Sequence, residues 1–385
     1  MKKYIHFAQP LFGQEEKKEI IKVLDSGWVT LGPGTREFEE QFAKYTGAKY
    51  AVGLSSCTAA LHLALIAAGI GVGDEVITTI FTFSASINPV IILGGKPVLV
   101  DIDEKTMNID VDLIEAAITK KTKAIMPMHY GGYPCNMDAI RKIAKKHNLT
   151  IIEDAATAIG TTYKGKKVGN IGDMTCFSFH PIKNISTGDG GMVTTNSKAY
   201  AERIMLLRLH GMSKEAWKRH TAAGSWKYDI IEPGFKYNMT DIQAALGRVQ
   251  LKRLDGFIKV RKKYAHIFDT KLAKIPEITI PIHSDNSGTA YNLYTIRIDT
   301  KNLTVNRDEI VELLKQEQIG VSVYYIPLYE FSYFKKHLKL KQADFPKADA
   351  VYQSMMSLPL YPKMSLKDVD RVINTLLNII KKHRK

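Results

Sequence analysis

The chain has 385 residues, 45% of them hydrophobic, and a formal net charge of +15. Chains longer than about 250–300 residues usually form more than one domain, and no window approaches the roughly 20 apolar residues of a membrane span. Because the N-terminal MKKYIHFAQP also lacks the apolar core of a signal peptide, we expect a cytoplasmic protein with no membrane segment.

The positive charge indicates an anionic partner, because a basic surface attracts negatively charged ligands. The basic residues are scattered through helices such as Arg141 to Lys146, and no nucleic-acid-binding module accompanies them. We therefore expect mostly solvated surface and no nucleic-acid partner. Cys57, Cys135 and Cys176 show no metal-ligand or redox spacing, which argues against disulfides and a metal site.

From Tyr50 to Thr195, short apolar runs alternate with helix-length segments such as Met137 to His147, as is typical of a doubly wound α/β domain. In such sheets ligands bind beyond the carboxyl ends of the strands, so we expect functional residues just after each strand. The predicted strands are Ala51–Leu54, Glu75–Thr79, Pro97–Asp101, Lys123–Pro127, Thr150–Asp154 and Met192–Thr195.

A long helix is predicted from Thr240 to about Thr270, and an α+β pattern follows Pro276. We accordingly divide the chain into a large domain over residues 1–250 and a smaller C-terminal domain over residues 251–385. The elements predicted in the smaller domain are strands at Tyr291–Ile298 and Gly320–Tyr325 and helices at Arg307–Gln316, Lys347–Met356 and Leu366–Lys381.

Two segments that follow predicted strands carry residues suited to ligand binding. Ser55 to Ala60 opens an apolar helix, and the N–H groups at a helix N-terminus can hold a phosphate, although Ser and Thr are also ordinary helix caps there. Asp154 ends a buried strand, where a carboxylate is costly unless it is paired with a cation or hydrogen-bonded. A role in capping the next turn would explain Asp154 equally well.

A lysine lies between two predicted strands in the segment Cys176 to Val193. Pro181 fixes the turn after the first strand, Lys183 follows, and a glycine-rich turn leads into the second strand. A desolvated lysine loses its charge readily, which makes it a Schiff-base nucleophile. The alternative is an ordinary solvated lysine.

The segment SFHPIKNISTGDGG around Lys183 resembles the cofactor-lysine motif SFHPxKxxxxGEGG of the DegT/DnrJ/EryC1/StrS family of sugar aminotransferases. The resemblance covers nearly the whole chain and implies a fold-type I α/β architecture, with a large doubly wound, mostly parallel sheet domain and a smaller α+β domain. Further similar blocks, in chain order, are GWVTLGPGTREFEEQFA, SSCTAALHLAL, TIFTFSASINPV, MHYGGYPCNMDAI, EDAATAIG and GFKYNMTDIQAALGRVQL.

The resemblance also implies a cofactor, pyridoxal 5'-phosphate, bound covalently to the catalytic Lys183. Asp154 would pair with the protonated ring nitrogen, so that the ring acts as an electron sink. Phe83 would stack on one face of the ring. Thr157 stands where many relatives have Gln or His, and it is expected to lie beside the cofactor in their place.

The phosphate of the cofactor would be held by Cys57, Thr58 and Ser178. In the family, the partner subunit completes this site from the block that begins at Gly234 here. The common GYNYRM reads GFKYNM in this chain, so the partner's ligand would be Lys236, Asn238 or both. The resemblance therefore implies a homodimer with shared active sites.

The implied reaction has two halves, in which L-glutamate gives up its amino group as 2-oxoglutarate and a nucleotide-linked keto sugar receives it. Three parts of the sequence resemble the branch that aminates carbon 4: the block Gly234 to Asp241, the segment Trp226 to Pro233 and the segment Arg208 to Gly211. We therefore predict a UDP- or dTDP-linked 4-keto sugar as acceptor. Tyr324 occupies a position where members of the family frequently have the sequence VHY, and this difference could reshape the sugar pocket.

Four alternatives to this prediction remain open to different degrees. A 3-keto sugar aminotransferase of the same family is the nearest. A related dehydratase would need a residue other than lysine at position 183, and a non-catalytic family member would have lost Lys183 or Asp154. An enzyme acting only on free amino acids is not excluded by the residues, but the sugar-family blocks argue against it.

Overall fold

The structure is a computed structural model that describes residues 3–213, 228–282 and 287–385. The strands of these ranges are β1 (Tyr50–Leu54), β2 (Glu75–Thr79), β3 (Lys96–Val100), β4 (Thr122–Met126), β5 (Thr150–Asp154), β6 (Thr162–Tyr163), β7 (Lys166–Lys167), β8 (Met174–Ser178), β9 (Gly191–Thr195), β10 (Ile278–Thr279), β11 (Ser287–Gly288), β12 (Tyr294–Ile298) and β13 (Met355–Leu358).

Several helices begin at a capping residue that satisfies first-turn N–H groups, as Thr240 does together with Gln243. The helices are α1 (Gln14–Ser26), α2 (Pro33–Thr46), α3 (Cys57–Ala67), α4 (Ser84–Ile92), α5 (Val111–Ile114), α6 (Met137–His147), α7 (Lys198–Leu207), α8 (Asp241–Leu272), α9 (Arg307–Gln316), α10 (Ser332–His337), α11 (Pro346–Ser354) and α12 (Leu366–Lys382).

Seven strands form one sheet in the order β1-β9-β8-β5-β4-β2-β3. The pairs from β3 to β8 are parallel, and β9 runs antiparallel to both of its neighbours, β8 and β1. The register places Gly191 beside Leu54 and beside Ser178. This mostly parallel α/β sheet confirms the predicted fold class, and it gathers the carboxyl ends of β1, β5 and β8 on one edge.

The long helix α8 packs against two apolar cores. Its first half contributes Leu251 and Leu254 to a core beside the large sheet, and its second half contributes Phe268 and Leu272 to the C-terminal core. Helix α12 closes that second core with an apolar stripe spaced three and four residues apart. The proposed domain boundary at residue 250 falls inside α8, and the division into two domains stays a prediction.

Two predicted C-terminal elements are wrong in part. Residues 320–325 do not form a strand: the Gly320 N–H donates to the Ile5 carbonyl and Ser322 forms an isolated bridge with Ser357 of β13, but no continuous pairing joins them. The helix predicted to reach Met356 ends at Ser354, and Met355 already belongs to β13, which pairs with β12. Within the ranges that the structure describes, no helix is long and apolar enough to cross a membrane.

Candidate active site

A cavity of about 330 Å³ lies beyond the carboxyl ends of β1, β5 and β8. This is the edge at which ligands bind in open α/β sheets. The sequence-predicted residues that line this cavity are Cys57, Thr58, Phe83, Asp154, Thr157, Ser178 and Lys183. Seven of the nine predicted site residues therefore lie together, although 126 positions of sequence separate the first from the last.

The N-terminus of α3 forms one end of the cavity. The Ser56 side chain accepts a hydrogen bond from the Ala59 N–H at 3.1 Å and so caps the helix. The N–H groups of Cys57 and Thr58 belong to the first turn, where no carbonyl of the helix precedes them as an acceptor. Such N–H groups and the helix dipole favour a phosphate, and Ser178 lies at the same edge, at the end of β8.

Gly191 allows the backbone at the start of α3 to lie close to β9. A Cβ atom at this position would meet the Ser56 carbonyl oxygen at 2.3 Å and the Cys57 nitrogen at 2.7 Å. Both atoms belong to the backbone and cannot rotate away, so a side chain at Gly191 would displace the helix N-terminus. The last glycine of the GDGG block is thus explained by this close approach.

Asp154 provides a buried carboxylate at the end of β5, with only 4% of its surface exposed. Its Oδ2 accepts a hydrogen bond from the Ser86 hydroxyl at 2.6 Å, and its Oδ1 accepts one from the Ala156 N–H at 3.0 Å. Each carboxylate oxygen therefore has one hydrogen-bond donor from the protein. Because a carboxylate has about four acceptor positions, Asp154 can still pair with a cation in the cavity.

Lys183 extends into the cavity from the turn that follows β8. The turn is closed by a hydrogen bond from the Lys183 N–H to the His180 carbonyl at 2.9 Å. Burial lowers the pKa of the Lys183 ammonium below its usual value, and the nearby Cys57 and Asp154 oppose this shift only in part. A larger fraction of the amine is therefore neutral near pH 7, and the neutral amine is the form that attacks a carbonyl.

The other predicted residues form the walls. Phe83 precedes α4 and is 59% exposed, which leaves a face of its ring free for a ligand. Thr157 is buried, and its hydroxyl donates to the His129 carbonyl at 2.7 Å, so this hydroxyl is already used by the backbone. Burial and the nearby Asp154 raise the pKa of the Cys57 thiol, which is consequently protonated at neutral pH.

Lys236 and Asn238 do not line the cavity of their own chain. Asn238 forms a bridge with Leu54 of β1, and its amide donates to the Met239 carbonyl at 3.0 Å. Lys236 is exposed. Their assignment to the neighbouring subunit's phosphate site remains a prediction. Tyr237 between them stacks on Phe235 and likewise lies outside the cavity.

Sequence reasoning missed the hydrogen-bonding partners behind the cavity. Glu153 and His129 are both fully buried, and the His129 Nε2 lies 2.9 Å from a Glu153 carboxylate oxygen. The Cys135 N–H donates to the other ring nitrogen, so the ring proton is on Nε2 and is donated to Glu153. The apolar context of Glu153 in the sequence signalled a buried acid, but no local pattern identified its partner.

The outer wall of the cavity comes from the C-terminal half of the chain. Asn292, Tyr324 and Tyr325 line it together with His180 from the Lys183 turn. The Tyr130 hydroxyl donates to the Tyr324 carbonyl at 2.5 Å and so ties this wall to the large sheet. Of these residues only Tyr324 was singled out from the sequence.

The donor set of the cavity suits pyridoxal phosphate. A buried carboxylate with free acceptor capacity, Asp154, matches a protonated ring nitrogen, and the α3 N-terminus matches a phosphate. Lys183, with its lowered pKa, lies in the same cavity and matches the aldehyde carbon. A mostly parallel α/β sheet that carries these three groups at its carboxyl edge is the arrangement expected of a pyridoxal-phosphate-dependent enzyme.

Comparison with known proteins identifies the family. The chain belongs to the DegT/DnrJ/EryC1/StrS aminotransferase family, whose model matches residues 10–377. It is 48% identical over 379 residues to the spore coat polysaccharide biosynthesis protein SpsC of Bacillus subtilis, covering 98% of this chain and 97% of that protein. The sequence resemblance to this family is thereby confirmed.

Solved structures give the same result. The Spr1654 protein of Streptococcus pneumoniae in its PMP form is similar with a TM-score of 0.93 and 35% identity, over 98% of this chain and 99% of that one. The aminotransferase PseC of Helicobacter pylori, involved in the biosynthesis of pseudoaminic acid, is similar with a TM-score of 0.91 and 30% identity, over 99% of this chain and 100% of that one. The protein is a sugar aminotransferase.

Proposed function

We propose that this enzyme transfers an amino group from L-glutamate to carbon 4 of a UDP- or dTDP-linked 4-keto sugar in the cytoplasm. The observation that carries the catalytic part is the position of Lys183, whose amine lies in one cavity with a buried carboxylate and a helix N-terminus. The sugar products of such a reaction would serve lipopolysaccharide or other glycan synthesis.

Lys183 has two tasks in this proposal. Its Nζ forms the covalent bond that holds the cofactor, and once a substrate amine has displaced it, the same Nζ carries the proton to and from the reacting substrate carbon. Bound pyridoxal phosphate supplies the electron sink for this proton transfer. The lowered pKa of Lys183 suits both tasks, because the free amine must accept a proton near neutral pH.

The remaining residues hold and orient the cofactor. Asp154 pairs with the ring nitrogen, and Phe83 covers one face of the ring. Thr157 contributes its methyl group, because its hydroxyl is bonded to the His129 carbonyl. The phosphate is held by the N–H groups and side chains at Cys57 and Thr58 and by the Ser178 hydroxyl.

The active unit in this proposal is a homodimer. Lys236 and Asn238 of the partner subunit complete the phosphate site, which is consistent with the exposed position of Lys236 outside the cavity of its own chain. Partial desolvation by neighbouring residues lowers the pKa of the largely exposed Lys236, but its ammonium group remains a suitable partner for a phosphate.

The sugar substrate is supported by the relatives. SpsC takes part in spore coat polysaccharide biosynthesis and PseC in pseudoaminic acid biosynthesis. The choice of carbon 4 and of glutamate rests on the sequence resemblance. Tyr237, which contributed to that choice, packs against Phe235 and not into the cavity, and Trp226 lies outside the described residues. Tyr324 is a sugar-facing candidate, because it lines the cavity.

The test offers UDP- and dTDP-linked 4-keto and 3-keto 6-deoxyhexoses to the purified enzyme with L-glutamate. We expect the 4-keto sugars to be converted, with the new amine located at carbon 4 by NMR and 2-oxoglutarate formed in equal amount. A strong preference for 3-keto sugars would contradict the position but not the aminotransferase class. If the amino group of an amino acid is transferred only to 2-oxo acids and to neither kind of sugar, the proposed sugar substrate is wrong. The Lys183→Ala variant is the negative control.

A further inference from the structure

Two hydroxyl groups lie in series behind the carboxylate of Asp154. The Thr82 and Ser86 hydroxyl oxygens are 2.7 Å apart, and the Ser86 hydroxyl is 2.6 Å from the Asp154 Oδ2. All three residues are buried, with 1%, 0% and 4% of their surfaces exposed. Water therefore does not compete for these bonds, and each contributes more than it would at the surface.

The direction of the hydrogen bonds in this series follows from the carboxylate. An ionised carboxylate only accepts hydrogen bonds, so Ser86 gives its single hydroxyl hydrogen to Asp154. The Ser86 oxygen is then left as an acceptor, and Thr82 must donate to it. Hydrogen bonds in series polarise one another, so the Thr82 hydroxyl strengthens the bond from Ser86 to Asp154.

The series is built into the segment that also carries Phe83. Thr82 and Phe83 come directly before α4, and Ser86 is the third residue of that helix, where its N–H donates to the Phe83 carbonyl at 3.1 Å. Thr82 lines the cavity, whereas Ser86 lies behind it. One short segment therefore fixes both the wall residue Phe83 and the donors to Asp154.

We propose that Thr82 and Ser86 are positioning residues that keep the shared proton of the Asp154–cofactor pair on the ring nitrogen and not on the carboxylate. A hydrogen bond donated to a carboxylate favours its ionised form. With the Ser86 donor in place, Asp154 remains the anion and the ring nitrogen remains the cation, which is the state that makes the ring an electron sink. This inference rests on the proposed pairing of Asp154 with the ring nitrogen.

The experiment measures the ring nitrogen directly, by NMR of the holoenzyme reconstituted with 15N-labelled pyridoxal phosphate. In the wild type we expect the chemical shift of a protonated ring nitrogen. In Ser86→Ala the shift should move towards that of a neutral pyridine at neutral pH, because the proton moves towards Asp154. A merely structural defect would lower the amount of bound cofactor without moving the shift of the bound fraction.

Thr82 offers a matched pair of variants, which also serves if Ser86→Ala does not fold. Thr82→Val removes the hydroxyl at nearly constant volume and should give a smaller shift in the same direction. Thr82→Ser keeps the hydroxyl and should retain the wild-type shift. Ser84→Ala is the control for altering a serine of α4, because Ser84 takes part in neither hydrogen bond of the series.

The variant Asp154→Asn distinguishes a failure of the pairing between Asp154 and the ring nitrogen from a failure of the role of the hydroxyl series. If Asp154→Asn leaves the nitrogen shift unchanged, the pairing of Asp154 with the ring is wrong, and the proposed site assignment fails with it. If Asp154→Asn moves the shift but Ser86→Ala does not, the pairing stands and the role of the hydroxyl series is overturned. If Ser86→Ala is not obtained folded, an unchanged shift in Thr82→Val overturns it instead.

Discussion

Asp241 at the start of α8 accepts two hydrogen bonds from Thr35 at the start of α2, from its N–H at 2.8 Å and from its hydroxyl at 2.6 Å. The N–H groups of Gly32 and Gly34 donate to the same carboxylate at 2.9 and 2.8 Å. One side chain therefore caps the N-terminus of a second helix more than 200 positions away in the sequence. This carboxylate joins the N-terminal segment to the long helix.

Asp241→Ala should lower the free energy of unfolding by at least about 3 kcal/mol, because it leaves three backbone N–H groups without their acceptor and each such loss costs about 1–3 kcal/mol. Denaturant unfolding of the cofactor-free protein measures the change. Asp370→Ala, at an exposed position of α12, is the control and should stay within about 0.5 kcal/mol of the wild type. A loss below about 1 kcal/mol for Asp241→Ala would contradict this role.

Lys183 should be the lysine that carries the cofactor. The purified enzyme is expected to be yellow and to lose this absorbance on borohydride reduction, and peptide mapping should locate the reduced adduct on Lys183. Lys183→Ala should fold and bind no cofactor covalently, whereas Lys142→Ala, at an exposed position of α6, should behave as the wild type. An adduct on any other lysine would refute the assignment.

The buried amine should also make stability depend on pH. Burial lowers the pKa of Lys183 in the folded protein below the value of 10.5 that the unfolded chain has. Between these two pKa values the unfolded chain binds more protons, so the free energy of unfolding rises with pH in this window. In the cofactor-free Lys183→Met variant this dependence is absent.

The measurement is a series of denaturant unfolding curves from neutral pH to pH 10. Lys183→Met should be more stable than the cofactor-free wild type at the low end, and the difference should shrink as the pH rises towards 10.5. Lys142→Met should run parallel to the wild type throughout. A constant difference between Lys183→Met and the wild type would show that the amine titrates normally.

Gly191→Ala should weaken cofactor binding by about fivefold or more. The new Cβ would lie 2.3 Å from the Ser56 carbonyl oxygen, so the α3 N-terminus must move, and overpacking of this kind costs about 1–3 kcal/mol. Titration of the cofactor-free protein with pyridoxal phosphate measures the affinity. Gly71→Ala has open space around its Cβ and should leave the affinity unchanged. Equal affinities for both variants would mean that the α3 N-terminus does not bind the phosphate.

Mixed dimers should test the shared active site. A Lys183→Ala chain and a chain altered at Lys236 and Asn238 are each expected to be inactive, and their mixture should recover part of the activity, since one site of the mixed dimer is intact. A mixture of Lys183→Ala with Asp154→Asn is the control and should stay inactive, because both changes lie in the cavity of one chain. Mixed dimers that form but remain inactive would disprove the sharing.

The residues that line the cavity could be predicted from the sequence because each follows a buried strand or belongs to a contiguous motif. Asp154 ends β5, and Lys183 lies in the turn after β8. The supporting contacts could not be predicted in this way. Ser86 is 68 positions from Asp154, and His129 is 24 positions from Glu153, so only the folded chain reveals these pairs.

The wrong secondary-structure predictions near the C-terminus have a different origin. In a short segment such as residues 351–358, where apolar residues are interrupted by Gln353, Ser354 and Ser357, periodicity does not separate helix from strand. The chain changes from helix to strand at Met355 because β12 offers a free edge for pairing. Residues 320–325 have a strand-like composition, but beyond the Gly320 bond to Ile5 and the bridge at Ser322 the segment turns to the cavity, which Tyr324 and Tyr325 line.

The cavity has a composite wall, with Asp154 and Lys183 supplied by the large sheet and Asn292, Tyr324 and Tyr325 supplied by the C-terminal half. The groups that match the cofactor and the residues that close the outer wall therefore come from separate stretches of the sequence. A substitution at Tyr324 can change the shape of the cavity and leave Asp154 and Lys183 in place.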